Sequence, residues 1–377
     1  MGREKGVALP AQMATACQDG VVRVFDPRPE RPVQRIEAAH SGSDVRCIVF
    51  SSDGQRLVTS GDDGIVKEWD LTTGILARTL AGHRAAVWSV CVGDDGETWA
   101  SGGCDGIVKV WGIGQKAAEM LFSLSGHTDN VLCVRLSPKG ATVLASSGDD
   151  KAVMLWDTRA GLLIRRLEGH SDTVWGLSWC PAPAQICTLA SCSSDGTIIV
   201  WDTSDGKRRA TLRGHEDSVL CISYSKDGAW LASGGADRSV RLWEAESLEC
   251  SRVLSGHSFS VLSVAFDPSS MTLVSCSGDK TARVWDVARG ECRGVVSGHG
   301  GIVYSASFAP SEEDARGKRA SYWSMTSEEK SRLFWIVAKQ LLLVCVVIFF
   351  WIFVQEPPQK GHPRSKPQPE SGTSGEL

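Results

Sequence analysis

The chain repeats a set of side chains that could perform nucleophilic catalysis: a histidine, a serine or threonine, an aspartate and a tryptophan. In every copy the aspartate lies six residues before the tryptophan, and the hydroxyl residue lies ten before it. In a nucleophilic triad, histidine takes the hydroxyl proton and the carboxylate orients the histidine. The complete sets are His40, Thr59, Asp63, Trp69; His83, Ser101, Asp105, Trp111; His127, Ser146, Asp150, Trp156; His170, Ser191, Asp195, Trp201; His215, Ser233, Asp237, Trp243; and His257, Ser275, Asp279, Trp285.

The number of copies argues against catalysis. An enzyme needs one strained and accessible constellation, whereas six sets are spread evenly along this chain. Buried polar groups are tolerated when they satisfy one another, and such networks fix one packing. We therefore expect the sets to be structural and the protein not to be an enzyme.

The sets follow an internal repeat. Successive histidines are 42 to 45 residues apart, which is the period of a propeller blade. Within a repeat, short segments rich in β-formers are bounded by turn residues, as in the residues 87–112, VWSVCVGDDGETWASGGCDGIVKVWG. This pattern predicts four strands per repeat and no helix.

The residues around the tryptophans carry a resemblance. The dipeptide WD stands at 69–70, 156–157, 201–202 and 285–286, whereas Gly112 follows Trp111 and Glu244 follows Trp243. Over residues 11–308 the chain resembles the WD40-repeat family. The resemblance implies an all-β propeller with four-stranded blades around a channel. It also implies that each set forms a buried hydrogen-bond chain from the Gly-His loop through the turn to the tryptophan strand.

The two ends of the repeat region complete each other. The N-terminal side supplies Thr15, Asp19 and Phe25, with Phe25 in the tryptophan position, but no Gly-His precedes them. The C-terminal side supplies His299 and one inner strand over Ile302 to Phe308. Together they predict a seventh blade that closes the ring and removes open sheet edges.

One position in each repeat predicts a binding surface. The residue after the first valine of the inner strand should lie at the channel mouth, because that strand is innermost. An aromatic and aliphatic ring with a single arginine would suit an apolar peptide anchor with a nearby acidic group. The alternative is that these side chains only pack between blades. They are Arg46, Trp88, Leu132, Trp175, Leu220, Leu262 and Tyr304.

Composition excludes several classes of function. The net charge of -4 offers no basic surface, so we expect no nucleic-acid partner. The 13 cysteines are scattered without a CxxC pair, which favours a reducing compartment. No metal-ligand cluster or phosphate-binding glycine loop is present, so we predict no cofactor and no metal, and the fold requires no self-assembly.

An apolar segment with polar residues on both sides follows the repeats. We predict an extension at 1–10, a polar linker at 309–332, a membrane-spanning helix from Leu333 to Val354 and a disordered proline-rich tail at 355–377. Sixteen Leu, Ile, Phe and Val residues in the span contribute about -5 to -10 kcal/mol to insertion, against about +3 for Lys339. Basic residues are more frequent before the span than after it. This bias predicts a single-pass, tail-anchored protein with the propeller in the cytoplasm; the alternative is a soluble cytoplasmic protein carrying a β-prone segment.

The function predicted from these features is a protein-binding scaffold. The alternative rests on Trp156 to Arg159, WDTR, which resembles the WDxR signature of substrate receptors of cullin-RING ubiquitin ligases. A weaker echo stands at Phe25 to Arg28. One such arginine among six repeats arises by chance about a quarter of the time at average arginine usage.

Overall fold

The computed structural model describes residues 11–26, 34–37, 39–114, 117–138, 140–182, 187–311 and 315. Contacts divide the chain into two units, Met1–Arg319 and Ala320–Leu377. The second unit, with the predicted span 333–354 and tail 355–377, lies outside the described residues. Within the described ranges, no helix has both the length and the hydrophobicity that a membrane crossing requires.

In the described residues, twenty-eight short strands form seven antiparallel sheets of four strands each, which confirms the all-β, seven-bladed propeller. Six blades each take four consecutive strands. Blades 2 to 4 contain β4 (Val45–Phe50), β5 (Arg56–Gly61), β6 (Ile65–Asp70), β7 (Leu76–Ala81); β8 (Val87–Val92), β9 (Thr98–Gly103), β10 (Ile107–Ile113), β11 (Ala118–Ser125); and β12 (Val131–Leu136), β13 (Val143–Gly148), β14 (Val153–Asp157), β15 (Leu162–Leu167). Blades 5 to 7 contain β16 (Val174–Trp179), β17 (Thr188–Ser193), β18 (Thr197–Asp202), β19 (Lys207–Arg213); β20 (Val219–Tyr224), β21 (Trp230–Gly235), β22 (Val240–Glu244), β23 (Cys250–Leu254); and β24 (Val261–Phe266), β25 (Thr272–Ser277), β26 (Ala282–Asp286), β27 (Cys292–Val296).

Blade 1 is built from both ends of the repeat region. Its strand order is β28 (Val303–Phe308), β1 (Met13–Cys17), β2 (Val22–Phe25) and β3 (Gln34–Ile36). β28 pairs antiparallel with β1, so that Met13 lies opposite Phe308 and Thr15 opposite Ala306. This pairing joins the ends and closes the ring.

The hydrophobic core lies between the blades. There are seven buried clusters among the described residues, and each combines side chains from two neighbouring sheets. At the closure, Met13 and Phe25 of blade 1 pack with Val274 and Val284 of blade 7. Each buried Val, Leu or Phe contributes about 1.5 to 3 kcal/mol relative to exposure. Because each blade packs one face against the preceding blade and the other against the following blade, the interfaces form one continuous ring.

Candidate functional site

In blades 2 to 7, each histidine lies between the hydroxyl group and the carboxylate of its set. In blade 4, His127 Nδ1 is 2.9 Å from Asp150 Oδ1, and His127 Nε2 is 2.7 Å from Ser146 Oγ. The Nε1–H group of Trp156 donates to the same Ser146 Oγ at 2.8 Å. The three contacts recur in all six blades at 2.7 to 3.0 Å. Each set is therefore one continuous hydrogen-bond chain.

The order of contacts equals that of a catalytic triad, but the hydroxyl groups are inaccessible. All six hydroxyl residues have a relative exposure of 0%, and the tryptophan N–H group occupies the oxygen that would attack a substrate. A nucleophile needs an open face toward its substrate. The geometry therefore favours the structural role of these chains over hydrolysis.

The pKa falls for most histidines and most aspartates of the hydrogen-bond chains, but for different reasons. Burial lowers the pKa of five histidines, and their aspartates only partly oppose it, at His40, His83, His170, His215 and His257. For the aspartates, burial would raise the pKa, but hydrogen bonds from the histidine, the turn and backbone N–H groups outweigh it, and the pKa falls at Asp105, Asp150, Asp195, Asp237 and Asp279. The favoured state is a neutral histidine beside an ionised aspartate.

The seventh set, in blade 1, is assembled differently. Thr15 Oγ1 lies 3.0 Å from His299 Nε2, but His299 Nδ1 is buried and has no hydrogen-bond partner among the described residues. Asp19 instead accepts two hydrogen bonds from the guanidinium of Arg23, at 2.6 and 3.1 Å. The side chain of Phe25 has no N–H group to donate to Thr15, and its ring packs near the imidazole, with ring centroids 6.4 Å apart. An ion pair therefore replaces the histidine–aspartate contact.

This replacement changes the pKa of His299. Burial and the positive charge of Arg23 lower the pKa to about 4. A contact with the Lys280 backbone that falls short of a standard hydrogen bond, and the charge of Asp19, raise it by less. Sequence spacing placed Asp19 correctly in the turn, but it gave no sign that Arg23 would take its carboxylate.

Every predicted mouth residue lies at a β-bulge of an inner strand. In blade 2, Val45 lies opposite Gly61 and Cys47 opposite Ser60, so Arg46 is the extra residue between them. The same register shift occurs at the mouth residue in each of the other blades. A bulge re-aims a side chain out of the pleat, and bulges are common beside functional sites. The bulge thus turns one side chain per blade toward the channel.

The seven side chains line one cavity of about 410 Å³. Trp88 and Trp175 are neighbours there, with ring centroids 5.9 Å apart and planes tilted by 34°. Trp175 Nε1–H donates to Ser194 Oγ at 2.7 Å, which orients its ring. Both indoles are partly exposed, as are Leu220, Leu262 and Tyr304. The mouth therefore presents an apolar, largely aromatic surface.

Arg46 is already paired inside this cavity. Its Nε and Nη2 donate to the two carboxylate oxygens of Asp62 at 2.7 and 2.6 Å, and Asp44 lies 3.3 Å from Nη2. The guanidinium also stacks on Trp88 and Tyr304, at 5.0 and 4.4 Å from the ring centroids. The sequence suggested that Arg46 would attract an acidic group of the ligand. In the structure two of the three guanidinium nitrogens already donate to Asp62, and the attraction of a ligand's acidic group stays a prediction.

Sequence reasoning missed the acidic residues around the mouth. Burial and a 2.9 Å hydrogen bond to Asp44 raise the pKa of Tyr304 to about 12, so the phenol stays protonated. Further carboxylates lie on the loops before β12, β16 and β20 and on the turn after β13. Lys151 Nζ donates to the Ser171 carbonyl at 2.9 Å. Basic residues in the equivalent loops and turns include Arg84, Arg238 and Lys280, and Arg213 lies in one pocket with Glu216 and Asp217. The sequence signal was available in the Gly-His loops, which carry Asp129, Asp172, Glu216 and Asp217, and in the turn after β13, which carries Asp149.

No group of three His, Cys, Asp or Glu side chains with metal-binding geometry exists in the described part of the chain. The cysteines there are all free thiols. The predicted WDxR arginine, Arg159, is exposed, and its backbone N–H donates to Asp157 Oδ1 at 2.7 Å within a turn. Arg28 of the weaker echo lies outside the described residues.

Comparison with known proteins agrees with this architecture. Nuclear distribution protein PAC1 of Coccidioides posadasii is 32% identical over 154 residues, which cover 39% of this chain and 32% of that protein. Coronin-7 of Bos taurus is 43% identical over 65 residues, 17% of this chain and 7% of that protein. The chain thus spans about a third or less of the length of these curated relatives.

The repeats themselves give a broader match. A family model described as WD domain, G-beta repeat matches residues 31–70, 74–112, 118–157, 161–202, 206–244 and 248–286. These six segments account for more than half of the chain and each ends one residue after its tryptophan, while β1, β2, β27 and β28 lie outside them. The chain belongs to the WD40 repeat family.

Proposed function

We propose that this protein is a non-enzymatic scaffold that binds a protein partner at the channel mouth. The observation that carries the proposal is the bulge at all seven inner strands, which gathers Trp88, Trp175 and five other side chains around one cavity. Protein-binding sites are enriched in partly exposed aromatic residues. A partner would insert a large apolar side chain against the two indoles.

The charges around the mouth favour basic residues beside that anchor. Asp129, Asp172, Glu216 and Asp217 are exposed on three neighbouring loops, while Arg46 is neutralised by Asp62 and Asp44. Complementary charges raise the association rate and discriminate between partners. We expect a segment with one aromatic or large aliphatic residue flanked by Lys or Arg.

Selection of displayed random peptides against the full chain tests this site. Enriched peptides should contain the apolar residue with basic neighbours, and Trp175→Ala should weaken their binding. Leu162→Ala is the matched control, because Leu162 is 65% exposed on the outer strand β15, away from the mouth. Enrichment of acidic peptides, or equal binding to Trp175→Ala, would contradict the proposed site.

We also propose that residues 333–354 attach the propeller to a membrane from the cytoplasmic side. The support is the sequence: 22 residues with sixteen strongly apolar side chains, against Lys339 near one end. Carbonate extraction of membranes carrying the full chain, and a chain ending at Ser331, tests this anchor. Only the full chain should stay with the membrane; release of both would remove the anchor from the proposal.

The alternative function is that of a substrate receptor of a cullin-RING ubiquitin ligase. Arg159 is exposed, as a contact with such a ligase requires. Affinity capture from cells separates the two. Recovery of the cullin adaptor with the wild type and its loss with Arg159→Ala would favour the receptor.

A further inference from the structure

A second arginine, Arg135, lies deeper in the channel. It is the fifth residue of the inner strand β12. The corresponding residues of the other inner strands are uncharged: Val49, Cys91, Ser178, Ser223, Ala265 and Ser307. Arg135 is therefore the single cation at this level of the channel wall.

The side chain of Arg135 is held in place but not neutralised. Its Nη1 donates to the Val134 carbonyl at 2.8 Å and to Ser89 Oγ at 3.2 Å. Trp179 Nε1–H donates to the Arg135 carbonyl at 2.9 Å, which fixes the backbone. Arg46 makes ion pairs with Asp62 and Asp44, whereas among the described residues no carboxylate lies within 4.0 Å of the Arg135 guanidinium.

Two of the thiols beside Arg135, those of Cys47 and Cys91, do not supply the missing negative charge. Burial raises the pKa of Cys91 to about 12 and also raises the pKa of Cys47. Both thiols are therefore protonated at neutral pH. A guanidinium stays charged under all physiological conditions, and Arg135 is partly exposed to the channel, so its charge can meet a bound anion there.

Arg135 stands between two cavities. It lines the mouth cavity described above and a second one, of about 680 Å³, at the opposite end of the channel. In the described residues it is the only side chain common to both. Hydroxyl groups surround the second cavity, from Ser51, Ser52, Ser137, Ser178 and Ser307.

The other charged groups of the second cavity are Asp94, Asp267 and Lys226. The Asp267 carboxylate is occupied by the backbone N–H groups of Ser269 and Thr272. This end of the channel thus places Lys226 and the Arg135 guanidinium, which has no carboxylate within 4.0 Å among the described residues, beside serine hydroxyl groups, with Asp94 and Asp267 also on the cavity wall. A guanidinium beside hydroxyl donors is the chemistry that carboxylate and phosphate groups need.

We propose that the channel binds a small oxyanion, a carboxylate or phosphate group, on the guanidinium of Arg135, reached through the second cavity. Nε and Nη2 would donate to the anion, and serine hydroxyls would complete its shell. The anion enters from the end of the channel opposite the proposed protein-binding mouth, although Arg135 lines both cavities.

Thermal unfolding of the full chain in sodium phosphate, sodium acetate and sodium chloride at matched ionic strength tests the proposal. Phosphate stabilises folded proteins generally, so the informative quantity is the excess shift over chloride in each variant. The wild type and the control Arg159→Gln should show the same excess shift, and Arg135→Gln should lose it. The larger shift of phosphate or acetate identifies the preferred oxyanion.

Direct titration gives the affinity. Phosphorus-31 NMR of inorganic phosphate should show binding to the wild type that is at least about tenfold weaker in Arg135→Gln, and partly kept in Arg135→Lys. Arg135→Gln removes an unpaired charge, so it should fold with an unchanged or higher melting temperature in chloride. Equal phosphate responses of the wild type and Arg135→Gln, or binding of an adventitious ion only, independent of Arg135, would overturn the proposal.

Discussion

The hydrogen-bond chains and the channel mouth occupy equivalent positions in every blade, yet they differ in sequence and in environment. The chains repeat nearly the same four residue types, and their hydroxyl groups are completely buried. The mouth position holds Arg, Trp, Leu or Tyr, and most of these side chains are partly exposed. A role needed in every blade requires the same chemistry in each, whereas one binding site requires different side chains around a single ring. Repetition within this chain thus indicates structure, and variation indicates function.

The largest expected effect comes from breaking a chain. Ser146→Ala leaves His127 Nε2 and Trp156 Nε1 without their shared partner, and we expect a loss of about 2 to 5 kcal/mol of unfolding free energy. Chemical denaturation measures it. Ser147→Ala is the matched control, because the buried Ser147 Oγ has no hydrogen-bond partner in the described structure and its removal should change stability by less than about 0.5 kcal/mol. Equal losses of unfolding free energy in the two variants would mean that the hydrogen-bond chain makes no specific contribution to stability.

The second effect concerns the mouth. Trp175→Ala removes an indole that stacks near Trp88, and the affinity for selected peptides should fall about tenfold to a hundredfold. Fluorescence anisotropy of a labelled peptide measures it. Trp175 is only half-buried, so the unfolding midpoint should move less than in Ser146→Ala. A large loss of stability with unchanged affinity would assign Trp175 to packing between blades.

Blade 1 allows a finer test of what the hydrogen-bond chains contribute to stability, because its own hydrogen-bond chain is incomplete. Thr15→Val breaks one hydrogen bond, to His299, and no tryptophan N–H depends on it. We expect a loss of about 1 to 2 kcal/mol, smaller than for Ser146→Ala. The same denaturation experiment checks the order of the two. A larger loss in Thr15→Val would show that blade 1 depends on its hydroxyl more than the regular blades do.

The smallest expected effect is on ionisation. Met154 occupies in blade 4 the position that Arg23 occupies in blade 1, two residues before the aromatic residue. Arg23→Met should release Asp19 and remove the repulsion, so the pKa of His299 should rise from about 4 toward its ordinary value. NMR titration of the imidazole measures this change.

The pKa of His299 also predicts a pH dependence. The unfolded chain binds this proton near pH 6.5, but the folded protein binds it only near pH 4. Acidification through this window therefore favours unfolding, and the stability that His299 contributes is complete only above pH 6.5. Arg23→Met should lose less of this contribution between pH 6.5 and 4. An unchanged pKa in Arg23→Met would show that burial alone sets it.

Much of this architecture is predictable from sequence. The spacing of histidine, hydroxyl residue, aspartate and tryptophan gave six chains and the shared seventh blade, because each repeat forms one unit with local turns. The capture of Asp19 by Arg23 was not predictable, since Lys67, Lys109, Arg241 and Arg283 hold the equivalent position without displacing the histidine. The pairing of Arg46 with Asp62 was missed as well, because it depends on how a bulge aims one side chain across neighbouring strands.

The most direct test of the division between structure and function measures stability and peptide affinity on the same proteins: wild type, Ser146→Ala and Trp175→Ala. Ser146→Ala should unfold at a lower denaturant concentration and bind the peptide normally at a temperature where it is folded. Trp175→Ala should show the opposite pattern, with nearly normal stability and weak binding. Loss of affinity in folded Ser146→Ala, together with normal binding by Trp175→Ala, would contradict the assignment of structure to the chains and of binding to the mouth.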